Sequence, residues 1–155
     1  MKLRPLLLSQ MRPGSRVVSH EWDMGDWRPD ETLLVTSPEK PHGTHREHKV
    51  MLWVIPAPVA GQWRLESRFA PAANGLAVEM AQRIQEVTAS TMSGKVLWTH
   101  LRGTTLAMGW TDGASRWSLR GEVTGNQWRG EAQRIGNWAN TSNAPNIRFL
   151  AKRVV

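Results

Sequence analysis

The sequence contains no cysteine and no tyrosine, and only two phenylalanines accompany its nine tryptophans. Without cysteine the chain can form no disulfide and present no thiolate nucleophile. Without tyrosine it has no phenol for proton transfer, so acid–base chemistry must use His, Asp, Glu or Lys. Thiol redox chemistry and cysteine-based nucleophilic catalysis are therefore excluded.

A long apolar run is also missing from the N-terminal segment. Met1-Lys2-Leu3-Arg4-Pro5 begins with charge, but the apolar run that follows ends after Leu6-Leu7-Leu8. Three leucines are too few for a signal peptide or a membrane span. We expect no targeting signal and no membrane span, which assigns the chain to the cytoplasm by default.

The composition is that of a folded, basic chain. Of 155 residues, 40% are hydrophobic and 21% charged, and the formal net charge is +7. This length suits one domain, or a small domain attached to part of another. The arginines alternate with apolar residues, as solvent-facing strand positions do; they include Arg64, Arg68, Arg83, Arg102, Arg116, Arg120, Arg129 and Arg134. We expect a solvated basic surface and no nucleic-acid binding.

The first 60 residues have a mixed pattern. Arg4–Met11 is helical in character, and Pro13-Gly14 ends it. Ser15–Trp22 contains β-branched residues and predicts a buried strand, Glu31–Thr36 predicts a second strand, and the apolar run Val50–Ile55 predicts a strand covered on both faces. Pro56–Gly61 breaks this pattern, so we place the boundary between two domains there, with residues 1–60 before it and residues 61–155 after it.

After Gly61, short segments are separated by turn residues at regular spacing, which is typical of an antiparallel meander or small barrel. Turns are predicted at Asn74-Gly75, Ser93-Gly94, Arg102-Gly103, Asp112-Gly113 and Gly125-Asn126. The predicted strands are Trp63–Phe69, Ala77–Gln85, Glu86–Met92, Lys95–Leu101, Thr105–Thr111, Arg116–Val123, Gln127–Gln133 and Ile147–Arg153. For residues 76–91 the composition supports a helix as well.

Several separated blocks lie in order over the first 65 residues: Lys2-Leu3-Arg4-Pro5-Leu6-Leu7, Met11-Arg12-Pro13-Gly14-Ser15-Arg16-Val17-Val18-Ser19-His20, Asp23-Met24-Gly25-Asp26-Trp27 with Pro29-Asp30, and Trp53-Val54-Ile55-Pro56-Ala57 with Val59-Ala60-Gly61-Gln62-Trp63. This segment resembles the C-terminal part of the proteins in a family of bacterial class I S-adenosylmethionine-dependent methyltransferases. By that resemblance, Ser15–Trp22 contains the fifth strand of a Rossmann-like sheet, and the last block is its final core strand and exit. The implied fold is an α/β remnant of that sheet followed by a mostly antiparallel β domain.

The features that would hold the cofactor in such a family are absent from this sequence. None of its 13 glycines forms a G-x-G-x-x-G turn between a strand and a helix. The sequence also lacks the strand that would come next in such a fold, with an acidic residue at its end to bind the ribose hydroxyls. The resemblance therefore implies a truncated methyltransferase that lacks its cofactor-binding half. We expect this chain alone to bind no S-adenosylmethionine and to transfer no methyl group.

Five residues follow or end the first predicted strand, where ligands bind in open α/β sheets. In a complete enzyme they would face the methyl acceptor: Ser19, His20, Asp23, Asp26 and Trp27. His20 would act as a base or orient the substrate, and Asp23 or Asp26 would pair with an amine. The alternative is structural, with Asp23 and Asp26 shaping a turn and Trp27 filling the core.

Two further residue sets have a ligand-binding and a plainer interpretation. His42, His45 and His48 have the spacing i, i+3, i+6, and three imidazoles can bind zinc or nickel. Because they lie in a loop without cysteine or fixed carboxylates, we expect no native metal site.

The tryptophans in the C-terminal part could stack on sugars or bases, or they could fill the core of a barrel, and we favour the core. They are Trp63, Trp98, Trp110, Trp117, Trp128 and Trp138, of which Trp138 is the best candidate for an exposed contact.

Two hypotheses follow for the function. In the first, the chain is the C-terminal portion of a methyltransferase and needs an N-terminal half. Without that half the strand Ser15–Trp22 would expose an unpaired edge, so the chain would associate with itself or with the missing half. In the second, the basic, tryptophan-rich β domain is a stand-alone module that binds an anionic ligand or polymer. An upstream reading frame encoding a glycine-rich turn and an acidic strand end would favour the first.

Overall fold

A computed structural model of the chain describes residues 3–36, 47–136 and 145–155. It divides into two compact units, Met1–Pro56 and Ala57–Val155. The first unit contains helix α1 (Leu3–Gln10) and strands β1 (Arg16–His20), β2 (Glu31–Thr36) and β3 (Glu47–Val54). The second contains β4 (Gly61–Ser67), a 3-10 turn (Pro71–Ala73), β5 (Ala77–Arg83), β6 (Glu86–Thr91), β7 (Lys95–Arg102), β8 (Thr105–Thr111), β9 (Arg116–Thr124), β10 (Gln127–Ile135) and β11 (Ile147–Arg153).

The three strands of the first unit form one sheet in the order β1-β3-β2. β3 is antiparallel to both neighbours, with Val18 opposite Leu52 and Leu33 opposite Val50. β1 and β2 therefore run parallel to each other, although they are joined to β3 by antiparallel ladders. β3 contains the most apolar run of the chain, and it is the strand with two neighbours.

One face of this sheet is packed and the other is open. On the packed face, Met51 and Trp53 are buried, and the indole Nε1 of Trp53 donates to the carbonyl oxygen of buried Trp27 at 2.9 Å. Their rings lie 6.2 Å apart at an angle of 55°. The opposite face presents Val18 and Leu33, with 65% and 62% of their surface exposed.

The prediction that Ser15–Trp22 is a buried strand is wrong. Every residue of β1 is exposed or half-buried, because β1 is the edge of the sheet and pairs with β3 alone among the described strands. For Val50–Ile55 the covered-strand prediction holds in part. Met51, Trp53, Val54 and Ile55 are buried, whereas Val50 and Leu52 are half-buried on the open face.

The second unit is an antiparallel, nearly closed barrel-like sheet of eight strands, in the order β6-β5-β4-β11-β10-β9-β8-β7. Consecutive strands pair within β4–β6 and within β7–β11, and β11 pairs with β4. The sheet is therefore an up-and-down arrangement with β6 and β7 at its two edges. At the remaining gap, the Thr99 hydroxyl of β7 donates to the carbonyl oxygen of Val87 in β6. The predicted β-rich fold with an antiparallel barrel or meander is thus confirmed, and residues 76–91 form strands and a turn instead of a helix.

The interior of the second unit is filled by large side chains. Trp63, Trp110 and Trp128 have no exposed surface, and the Trp128 ring packs edge-on against Phe149 at 4.8 Å. Each indole nitrogen reaches a carbonyl: that of Val59 at 2.8 Å, Ser93 at 3.2 Å and Leu106 at 3.2 Å. A buried indole N–H without a partner costs free energy, so these three bonds favour the observed ring positions in the core.

Across the described ranges, the structure contains no helix with both the length and the apolar character that crossing a membrane requires.

Candidate functional site

The loop after β1 is held in shape by its own polar side chains. The Ser19 hydroxyl donates to the carbonyl oxygen of Trp22. The Asp23 carboxylate accepts the backbone N–H of Gly25 at 2.9 Å, and Gly25 has φ +69, a conformation that glycine adopts without strain. Ser19 and Asp23 thus both contact backbone groups of this loop.

Asp26 and Trp27 tie the loop to the rest of the first unit. The Asp26 carboxylate pairs with the guanidinium of Arg4 in α1, which also donates to the carbonyl oxygen of Met24 at 3.2 Å. Trp27 is 1% exposed, and its ring packs near Trp53. Its indole nitrogen is buried and has no hydrogen-bond partner among the residues that the structure describes.

His20 lies apart from these contacts, beside a histidine of β3. Its Nε2 is 3.1 Å from Nδ1 of His48, and the two ring centroids are 5.0 Å apart. The ladder places His20 opposite Val50, so His48 is the diagonal neighbour of His20 on the same open face. The His20 side chain is 60% exposed and that of His48 16% exposed.

Glu21 completes a cluster with the two imidazoles. Its Oε1 is 3.7 Å from His48 Nδ1 and 4.0 Å from His20 Nε2. The same oxygen accepts the backbone N–H of Lys49 at 2.7 Å, which holds the carboxylate in place. Two imidazoles and a carboxylate can bind a divalent metal ion or exchange a proton.

Two members of this cluster were singled out from the sequence for different reasons, and the third was missed. His20 was a substrate-facing candidate because it ends a strand. His48 belonged to a triplet with His42 and His45 for which we expected no native metal site, and those two histidines lie outside the described residues. Glu21 was not predicted, because strict strand alternation puts it on the face opposite His20. Pairing His20 with Lys49–Val50 in register would have shown that His48 lies within reach.

The tryptophans of the second unit mostly serve the core. Trp63, Trp110, Trp117 and Trp128 are buried, which agrees with the packing interpretation. Trp98 is 43% exposed, and its ring covers Gly109, where any added Cβ would overlap it. Trp138 lies outside the described residues, so the prediction of an exposed contact there stays a prediction.

A groove of about 480 Å³ crosses the outer surface of β8–β10. Its lining carries both signs of charge, with Arg120 and Arg129 beside Glu122 and Glu131. The Thr104 and Thr105 hydroxyls, each 2.6 Å from the Glu122 carboxylate, lower the pKa of that carboxyl below its usual value. Since the charges are mixed, this groove does not favour a purely anionic ligand.

Comparison with known proteins relates part of the chain to a methyltransferase. It is 38% identical over 53 residues to a protein-lysine N-methyltransferase of the archaeon Saccharolobus islandicus (strain REY15A). The matched residues are 34% of this chain and 29% of that protein, so the chain spans less than a third of the length of the curated relative it matches. No protein-family model and no solved structure matches the chain.

Proposed function

We propose that this chain is the C-terminal portion of a class I S-adenosylmethionine-dependent methyltransferase, and that it works with an N-terminal half that supplies the cofactor site. The match to a protein-lysine N-methyltransferase supports a methyltransferase relationship. The observation that carries the proposal concerns the three-stranded sheet: its β1 edge has no partner among the described strands, and its apolar face is open, at the positions where such a half would join it.

The strand order fits the proposal. The resemblance assigns β1 to the fifth strand of the methyltransferase sheet and β3 to its last core strand. In the structure, the last strand lies between two earlier strands and is antiparallel to both. β1 therefore has one side without a partner among the described strands, which is where the resemblance would put the fourth strand.

The free edge of β1 can be located to particular backbone groups. Ile55 N donates to Ser15 O and Glu21 N donates to Lys49 O, each at 2.8 Å. In an antiparallel ladder, bonding to one partner alternates along the strand, so Arg16, Val18 and His20 direct their N–H and C=O groups away from β3. These groups form a template for an added strand, which the proposal identifies as the fourth strand of the missing half.

The open face beside this edge is apolar. Val18 and Leu33 are 65% and 62% exposed, and Val35 is 39% exposed; Val50 and Leu52 lie between them, half-buried. Burying apolar surface stabilises an assembly by roughly 25 cal/mol per Å², so covering this face would favour association. In a complete α/β sheet, helices cover such a face.

Substrate contacts follow from the same placement. His20, at the end of β1, would then lie at the carboxyl edge of the assembled sheet, where ligands bind in open α/β folds. There it would orient or deprotonate an amine acceptor, the chemistry that methylation of a lysine requires. Asp23 and Asp26 would hold the loop next to His20 in shape, through their contacts with the Gly25 N–H and the Arg4 guanidinium.

The first test asks whether the chain binds the cofactor alone. Isothermal titration calorimetry with S-adenosylmethionine should give no saturable heat, because the amides and acidic residue that would hold the cofactor are missing from the sequence. A 1:1 isotherm with a dissociation constant below about 10 μM, roughly −7 kcal/mol, would contradict the proposal.

The second test asks whether the edge takes up a strand. The chain is co-expressed with an upstream-encoded N-terminal half, and solution mass and amide exchange at Arg16, Val18 and His20 are measured. We expect a 1:1 complex, slower exchange at those amides and recovery of cofactor binding. Val18→Pro should abolish the complex because it removes an outward N–H, while the matched Val18→Thr should retain it. Slow exchange at these amides in a monodisperse monomer would overturn the proposal.

A further inference from the structure

The cluster of His20, Glu21 and His48 has the dimensions of a metal site. The distances among Nε2 of His20, Nδ1 of His48 and Oε1 of Glu21 are 3.1, 3.7 and 4.0 Å. A point equidistant from the three atoms lies about 2.1 Å from each, which matches zinc bonds to imidazole nitrogen and carboxylate oxygen at about 2.0–2.2 Å. The three atoms already surround one ion-sized position.

The backbone of Glu21 adopts an unusual conformation that brings its carboxylate into this cluster. Glu21 has φ +64, one of two non-glycine residues with positive φ among the described residues. Strand alternation would direct its side chain to the face opposite His20, whereas the left-handed conformation turns it to the side of both histidines. That conformation costs about 1 kcal/mol or more for a side chain other than Gly, Asn or Asp, and strain of this kind is concentrated at functional sites.

The two ring nitrogens and the carboxylate oxygen that face one another can each offer a lone pair to a cation. Each neutral imidazole carries its proton on one ring nitrogen, so the tautomers protonated at Nδ1 of His20 and Nε2 of His48 leave both facing nitrogens with a lone pair. The Lys49 N–H donates to Glu21 Oε1, the same oxygen that faces the two imidazoles, and so fixes the position of that oxygen, as outer hydrogen bonds do around protein-bound metals.

We propose that His20, Glu21 and His48 bind a divalent transition-metal ion, best matched by zinc. Two imidazoles and one carboxylate supply three ligands, and the exposed side of the cluster leaves further positions for water or substrate. The ion would join the end of β1 to the start of β3 and so stabilise the pairing of these strands. This inference rests on contacts within the first unit and does not depend on the methyltransferase proposal.

The test is a titration of the full-length chain with zinc chloride alone. Calorimetry should give one site with a dissociation constant of about 10 μM or lower, and cobalt(II) should give the visible absorption of a nitrogen- and oxygen-bound ion. At zinc about 100 times the dissociation constant, amide exchange at Lys49 and Val50 should slow by as much as about 100-fold. Failure of zinc to bind at 100 μM would overturn the proposal.

Variants identify the ligands and separate this site from the other histidines. His20→Ala and His48→Ala should each weaken zinc binding at least tenfold. Glu21→Gln, which keeps an oxygen for the Lys49 bond but loses the charge, should weaken it severalfold while leaving the circular dichroism unchanged. His100→Ala in β7 and the double variant His42→Ala/His45→Ala are the matched controls and should bind as the parent does. Unchanged affinity in His20→Ala, or its loss in the double variant, would assign the ion elsewhere and refute the site.

Discussion

Replacing Gln82 should destabilise the second unit more than the loss of one hydrogen bond would, because its side chain bonds to four backbone groups. Its Oε1 accepts the backbone N–H of Val59 at 2.6 Å and of Ala60 at 3.3 Å, and its Nε2 donates to the carbonyls of Ala57 at 2.9 Å and Ile84 at 2.7 Å. Ala57 and Val59 are buried, at 2% and 0% exposure. In Gln82→Ala their N–H and C=O lose partners away from water, at about 1–3 kcal/mol each. Because Ala60 and Ile84 reach solvent more easily, we expect the two buried groups to dominate, with a total of roughly 2–6 kcal/mol.

Urea unfolding of the full-length chain, followed by tryptophan fluorescence, measures this loss. The Val59 amide gives a local readout, because its exchange should accelerate in Gln82→Ala by the factor that corresponds to the lost stability. Gln82→Glu keeps the acceptor oxygen and should lose about half as much, whereas Gln133→Ala on the outer surface should change stability by less than about 0.5 kcal/mol. A loss below about 1 kcal/mol in Gln82→Ala, with Val59 exchange unchanged, would refute the reasoning.

Three further substitutions test other parts of the fold. Glu122→Gln should remove a contribution to stability that depends on pH. The pKa of the Glu122 carboxyl is lower in the folded state than in the unfolded state. The carboxylate therefore stabilises the fold fully above its unfolded pKa of about 4.3, and this stabilisation is lost as pH falls through the folded pKa. The melting temperatures of parent and variant should therefore converge as pH falls from about 4.3, the unfolded value, through the lower folded value. A constant difference down to about pH 2 would contradict this. Gly130→Ala would drive a Cβ into the Arg120 carbonyl oxygen, so it should lower the free energy of urea unfolding by about 3 kcal/mol or more. Gly125→Ala, where the space is open, should lower it by roughly 1 kcal/mol. Equal losses would count against the close approach of β9 and β10. Trp53→Phe should cost about 1–3 kcal/mol because the buried Trp27 carbonyl loses its donor, and a neutral result by thermal melting would show that bond to be dispensable.

Local chemistry made the second unit predictable. Gly75, Gly94, Gly103, Gly113 and Gly125 were predicted as turn residues, and all five have positive φ. Glycine at a turn is a strong signal because no other residue adopts that conformation as cheaply. The turn at Ile84, with φ +56, carries no such signal in its own side chain, and there the prediction placed the strand end two residues late.

The candidate site was less predictable because its geometry is not local. His20 and His48 are 28 residues apart, and only the register of β1 on β3 brings them together. Glu21 joins them through a backbone conformation that its residue type disfavours. The burial of β1 was also mispredicted, because its β-branched residues indicate a strand without indicating how many neighbours it has.

Independent stability should separate the two units. The second unit pairs each of its eight strands with neighbours and buries its own core, including Trp63, Leu65 and Trp128 at 0% exposure. The first unit leaves the β1 edge unpaired among the described strands and its open face exposed. A fragment of residues 57–155 should therefore unfold in one cooperative transition, and one starting at Ala60 should be less stable because it lacks the Ala57 and Val59 groups that bind Gln82 and Trp63. A disordered 57–155 fragment alongside a folded full-length chain would show that the second unit depends on the first, and the division at Pro56 would then be wrong in energetic terms.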